Sequence, residues 1–281
     1  TGSAGAWSVG GAMITARRYL GSFGTQNAAI AFGGMSPGDA CSEEYNGTSW
    51  AATSALASTT YIVGGGIGTQ NAGMSAAGGW GTPTTLLYNG NTWSTGVSRI
   101  TNTIWSAQTG TQNSALVFGG RENCTCTQYF NGTAWSVGGA LIAGRCQLTG
   151  TGLANSALAA GNGNTEEYNG SSWSLGGTLT NTSNHYAAAG TQNDTLIYSG
   201  YAVYASSVNT LTSHYNGTSW SAGGLNIIDR CRGAGTGLST AALLAGGCDP
   251  NGTCTEEWNA EYINTGSFGR VIANRFTGDA T

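Results

Sequence analysis

Apolar residues in this chain come in short runs, such as AAIAF at 28–32, SALVF at 114–118 and TLIY at 195–198, with no helical period linking them. Glycine- and asparagine-rich joints, chiefly GTQN and NGT, separate the runs. Gly and Asn accept positive φ at little cost, so these joints predict tight turns between strands. In the stretch 101–141 the pattern resolves into four strand-length segments: TNTIWSAQ, SALVFGG, CTQYF and AWSVGGAL.

The pattern repeats. GTQN opens segments at 24, 68, 110 and 190, and a second signature recurs as EEYNGTSW (43–50), LLYNGNTW (86–93), QYFNGTAW (128–135), EEYNGSSW (166–173) and SHYNGTSW (213–220). Trp7, Trp50, Trp93, Trp135, Trp173 and Trp220 mark the register at intervals of 38 to 47 residues. Four consecutive antiparallel strands per unit of that length make the blade of a β-propeller. Small residues crowd the first strand of each unit (YLGSFG, VGGGIG, HYAAAG, RCRGAG), as a strand nearest a central axis requires. The last unit, from about Arg230 through TEEWNAEY, lacks its closing NGTSW, and the chain opens with the missing piece, AWSVGGAMIT. The expected fold is therefore all-β: a six-bladed propeller of four-stranded antiparallel blades over residues 1–262, closed by the N-terminal strand pairing with the last blade. TGSAGAWSVGG carries no secretory leader and reads as the middle of a repeat, so the chain is expected to be a segment of a longer one.

The Gly-Gly, Tyr and Trp succession resembles the kelch repeat across roughly residues 7–262. More closely, GTQNAAIAFGG followed by EEYNGTSW is similar to kelch-like arrays in structural and fibre proteins of marine bacteriophages, cyanophages in particular. GSFGRVIANRFTGDAT, within 263–281, is similar to segments that lead into trimeric β-rich fibre shafts. Units 4 (AAGNGN in place of Gly-Gly) and 5 (a much longer loop) depart from the pattern. The resemblance implies a virion location, other virion proteins as partners, a homotrimer through the fibre segment, and a host-surface glycan or receptor as target.

Composition narrows the classes. The 48 glycines follow no collagen period. Charged residues are only 8% of the chain, lysine is absent, and the net charge is −4, which argues against a nucleic-acid partner. No apolar run is long enough to insert in a membrane as a helix. Seven cysteines sit without paired metal-ligand spacing, so neither zinc nor any other metal or cofactor is expected. The best disulfide candidate is Cys248–Cys254 across CDPNGTC.

Catalytic patterns are weak. Glu43–Glu44, Glu166–Glu167 and Glu256–Glu257 resemble glycosidase carboxylates, but neighbours on a strand point to opposite faces, so each pair is split by its own backbone. Structural pairing with Arg17, Arg145 or Arg230 on neighbouring blades is expected instead. His185 and His214 lack a nucleophile motif, and His185, on a first strand, reads as packed or channel-lining. Asn-x-Ser/Thr sequons recur mostly in one hairpin turn, so turn geometry explains them.

In an up-and-down blade, joints after strands 1 and 3 gather on one face of the propeller and joints after strands 2 and 4 on the other. GTQN and NGT are therefore expected together on a monotonous face, from which both chain ends leave. The variable loops gather opposite, where recognition usually sits. Expected ligand-binding residues are Asp39, Arg121, Glu122, Tyr201, Tyr204 and Asp249, with Tyr198, Tyr201 and Tyr204 able to stack on sugar rings or to pack their loop down. The expected function is a non-enzymatic virion fibre head displaying these loops for host attachment. The alternatives are an architectural capsid or tail decoration protein, and a secreted polysaccharide-acting propeller enzyme with a converging acid/base or metal cluster at one mouth of the channel.

Overall fold

The structure, a computed structural model, describes residues 5–34, 40–57, 65–76, 82–179, 183–202, 207–247 and 252–260. It contains six four-stranded antiparallel sheets. Blade 1 comprises Gly21–Thr25, Ala28–Phe32, Ser42–Tyr45 and Trp50–Ala52 in spatial order, and the next four blades repeat the scheme. In blade 5 a small hairpin, Tyr201–Ala202 with Ser207–Val208, is inserted between the second and third strands. Blade 6 takes three strands from the C-terminal part, Ala234–Leu238, Ala241–Ala245 and Thr255–Ala260, and its fourth, Gly5–Val9, from the N-terminal part. Trp7 sits opposite Trp258 and Gly5 opposite Ala260, so the ring closes as the repeat phase requires. The six first strands contact one another in a closed circle around the axis. The segment 263–281 lies outside the described residues.

One boundary differs from expectation. The first strand of blade 3 is Ala107–Thr111, not 101–108, and the other first strands are likewise shifted toward GTQN. Residues 101–106 belong instead to the blade-to-blade connector, where Trp105 has φ 59° and cannot continue a strand.

The repeated residues are joints between blades. The Gln of GTQN donates from its amide to two backbone carbonyls of the preceding blade: Gln112 to Gly73 O (2.9 Å) and Tyr88 O (2.8 Å), and Gln26 to Ala242 O (3.1 Å) and Trp258 O (2.7 Å) across the closure. Gln70 and Gln192 do the same. The indole N–H of each fourth-strand Trp reaches back likewise, as Trp50 to Thr255 Oγ1 (3.0 Å) and Trp173 to Thr127 Oγ1 (3.0 Å). Apolar clusters fill the same seams, with Phe118 of blade 3 against Trp173 of blade 4 at 4.8 Å between ring centroids. Within each NGT turn the Asn carboxamide oxygen accepts two backbone N–H groups, as Asn46 does from Thr48 (3.0 Å) and Ser49 (2.9 Å).

Each carboxylate of the Glu-Glu pairs has a scaffold partner. Glu43 accepts Ile14 N–H (2.8 Å) and Arg17 Nη2 (2.8 Å). Glu166 and Arg145 form an equivalent pair, as do Glu256 and Arg230 (2.9 Å), all buried. Each arginine belongs to the connector that enters the same blade as its glutamate, rather than to a neighbouring blade. Burial depresses the Arg17 and Arg230 pKa values, and the facing carboxylates oppose that shift. The second Glu of each pair points the other way and accepts a Tyr hydroxyl of the next blade: Glu44 from Tyr88 (2.6 Å), Glu167 from Tyr215 (2.5 Å) and Glu257 from Tyr45 (2.5 Å). Burial, then these hydrogen bonds, push the three phenols up to about 12. Blade 3 has Gln128 at the first position; it still caps Ile100 N–H (2.9 Å), but Arg99 turns onto Thr103 and burial lowers its pKa to about 10.

Candidate functional site at the axial mouth

Two residues before the first strand, the chain turns toward the axis on the face of the irregular loops. In five blades the residue there has positive φ and is not glycine: Tyr19 (56°), Trp105 (59°), Gln147 (59°), His185 (55°) and Arg232 (63°). At three of the five, the left-handed turn aims the backbone N–H at the neighbouring blade. Tyr19 N–H donates to Arg232 O (2.8 Å), Gln147 N–H to Trp105 O (2.9 Å) and His185 N–H to Gln147 O (3.1 Å). At these three positions the bonds offset a conformational cost of about 1–2 kcal/mol per residue. The backbone of this ring repeats; its side chains do not.

The five side chains are half-buried and border a cavity of about 90 Å³ that continues down the axis past Gln108, Gly150 and Gly235. Arg232 lies over the Tyr19 ring (4.8 Å) and faces that of Tyr201 (5.6 Å). Tyr19 reaches across the mouth to His185, edge to face at 5.6 Å. Burial and the Arg232 charge push the imidazole down to about 4, so His185 is neutral at pH 7. Asn184 Nδ2 donates to Gln147 Oε1 (3.1 Å), which leaves the Gln147 amide its Nε2 donor. Ser106 Oγ, on the same wall, is buried without a hydrogen-bond partner. No Asp or Glu is among the described lining residues. The opposite end of the channel is lined mostly by glycines, small residues and the threonines Thr109, Thr151 and Thr236, with Phe23, Ile67 and Gln108 among them.

The residues singled out from sequence separate. Tyr201 joins the edge of the mouth, its backbone paired with Asn184 (2.8 and 2.9 Å). Tyr198 does not: it is fully buried, donates to Leu243 O (2.9 Å) and packs edge-on against Trp7. Arg121 and Glu122 lie together in a 3-10 turn, Arg121–Asn123, beside a separate groove of about 420 Å³ formed with Thr101–Ile104 and Cys124. Asp39, Tyr204, Asp249 and Cys248 lie outside the described residues, so the Cys248–Cys254 pairing does too. Cys124 and Cys126 are disulfide-bonded, Cα atoms 5.2 Å apart. Among the described residues no group of three or more His, Cys, Asp or Glu could hold a metal ion.

Sequence reading reached His185 as channel-lining but missed Tyr19, Trp105, Gln147 and Arg232. They share no residue type, and only their place two positions before a first strand links them. The chain matches no protein-family model, and no curated protein matches it. The six-bladed propeller expected from the repeat is what the structure shows.

Proposed function

We propose that this chain is a non-enzymatic binding head, a rigid propeller that presents one face to a surface ligand, within a virion fibre or appendage. The observation that carries the binding reading is the confinement of individuality to one face: the mouth side chains and irregular loops differ from blade to blade, while the opposite face repeats one turn. Gly5 and Ala260, the ends of the described propeller, sit together on the repeated face, so flanking segments would hold the mouth outward. The virion setting rests on the sequence resemblance to bacteriophage fibre arrays. The mouth is more varied than a plain Ser, Thr, Gly and amide surface, with His185, Tyr19 and Arg232 in it. Yet glycoside hydrolysis by paired carboxylates finds no pair there among the described residues. The labelled full chain should bind marine cyanobacterial cells or a glycan array, and replacing residues 201–213 should abolish that binding; no binding by the unaltered chain would refute the proposal.

A second reading, architectural decoration of the particle, is favoured by one observation. Val9 (71% exposed), Val137 (76%) and Leu175 (70%) end the outermost strands of blades 6, 3 and 4 as bare apolar side chains. It predicts co-assembly with other virion subunits that is lost on Val137→Asp and Leu175→Asp, with cell binding absent.

A further inference from the structure

The connector into blade 3 departs from its counterparts in the placing of charge. In blades 1, 4 and 6 a third-strand glutamate caps the N–H of Ile14, Ile142 or Ile227. The residue before that isoleucine is buried and uncharged (Met13, Leu141, Asn226), and three places after it comes the arginine that pairs with the glutamate. Around Ile100 the order changes: Arg99 takes the uncharged place, Thr103 the arginine's and Gln128 the glutamate's. Blade 3 therefore buries a guanidinium without the carboxylate that neutralises it elsewhere.

Arg99 is 3% exposed. Its Nη1 donates to Thr103 Oγ1 and its Nη2 to Thr103 O, both at 3.0 Å, while Nε has no partner. Burial lowers its pKa to about 10 with no carboxylate among the described residues to oppose the shift, so it is charged at pH 7. A buried cation without a counter-ion is costly, and Met13 and Leu141 show that the fold accepts an apolar side chain in the same place. The neighbouring hydroxyl passes the charge outward. Thr103 Oγ1 accepts from Arg99, so its own proton is left to donate, and the guanidinium polarises it into a stronger donor.

Thr103 forms part of the wall of the groove of about 420 Å³ on the face of the irregular loops. That volume lies within the roughly 300–1,000 Å³ of a small-molecule site. Arg121 and Glu122, on the same wall, are opposite in charge, so the buried Arg99 leaves this groove net positive in a chain of net charge −4. An oxyanion matches both features: it accepts from Thr103 and brings the missing negative charge toward Arg99. The Glu122 carboxylate offers acceptors to the hydroxyls of a sugar that carries such a group.

We propose that this groove binds a sugar bearing an oxyanion, a carboxylate or a sulfate ester, which Thr103 receives by hydrogen bond and the buried Arg99 holds by charge. The inference rests on the binding-head reading above and gives that head a ligand chemistry.

The test is calorimetric titration of the full chain with glucuronate, glucose 6-sulfate and glucose, beside the cell and glycan-array assay. At least one acidic sugar should bind about tenfold or more tightly than glucose, as expected for a charge-assisted hydrogen bond, and the preferred one identifies the oxyanion. Arg99→Met, which supplies the residue that blade 1 has there, should erase the preference without lowering the melting temperature. Thr103→Val, which keeps the shape and removes the hydroxyl, should reduce the preference about threefold or more, as for one lost hydrogen bond. Should Arg99→Met melt early, Thr103→Val decides alone. Equal binding of all three sugars, or a preference that survives either substitution in a folded variant, would overturn the proposal. If cell or array binding persists while neither acidic sugar is preferred over glucose, the binding head stands and this ligand chemistry falls. If the unaltered chain binds no surface at all, the head itself falls.

Discussion

The two ends of the channel solve the same backbone problem with opposite residues. At the GTQN end each blade's first strand takes a positive φ on a glycine just before its turn, such as Gly110 (115°), where a Cβ would stand 2.3 Å from Ser114 O. At the mouth end the chain again turns left-handed, yet the five described positions carry Tyr, Trp, Gln, His and Arg. Steric exclusion fixes the residue in the first case. In the second the conformation tolerates a side chain at some cost, and the chain keeps one. The contrast separates a glycine that leads into a turn from a strained residue that presents a side chain to the axis.

Four changes test the contrast, beginning with the one of largest effect. Arg145→Met would leave Glu166 buried without its cation, and chemical denaturation should show a loss of about 3–5 kcal/mol, because an uncompensated buried charge keeps its desolvation cost. A smaller loss would mean the mouth connectors are less firmly anchored than the turn end. His185 comes next. Its folded pKa, about 4, lies below the unfolded value near 6.5, so the unfolded chain binds the extra proton first. Its contribution is therefore fully present above about pH 6.5 and lost as pH falls toward 4, by up to about 3 kcal/mol. Arg232 and Tyr19 face the ring, and of these only the Arg232 charge opposes protonation. Melts across pH 4–7 should flatten in His185→Gln, and an unchanged slope would argue against the buried neutral imidazole.

At the turn end, Gly110→Ala should cost about 2 kcal/mol in equilibrium unfolding while leaving cell or glycan-array binding unaltered. Its mirror, Gln147→Gly at the mouth, should change stability by less than about 1 kcal/mol, since relief of the left-handed strain offsets glycine's greater unfolded-state entropy. It should nevertheless weaken cell or glycan-array binding. Binding that survives Gln147→Gly but not Gly110→Ala would invert the comparison.

Much of the scaffold was legible because its signals are local and repeated. The YNGTSW turn shows its Asn and Gly in sequence, and the structure uses them there, with Asn46 accepting from Thr48 and Ser49. The splitting of Glu166 from Glu167 followed from strand alternation, and the two face Arg145 and Tyr215 respectively. The Gln of GTQN is a different matter. As turn chemistry it has no special merit, and its reason lies in the carbonyls of a neighbouring blade. Tyr198 looked like a loop aromatic beside Tyr201, but strand register buries the first and leaves the second half-exposed at the mouth. The inner-strand boundary was misplaced because β-branched and aromatic residues at 101–106 suit a strand locally, while the ring of backbone bonds at the mouth bends them into a connector.

By itself the sequence determined the strand-and-turn unit, its six copies and their closure by the N-terminal strand, because turn residues, strand periodicity and repeat phase act over a few neighbours and then recur. Tertiary structure alone decided which side chains share the mouth. Tyr19 and Arg232 meet at 4.8 Å only because the ring closes, and Gln147 and His185 join them only because each first strand delivers the residue two positions before it to the same axis. Closing a ring brings together positions that no local pattern connects, and at this mouth those positions hold the side chains that differ from blade to blade.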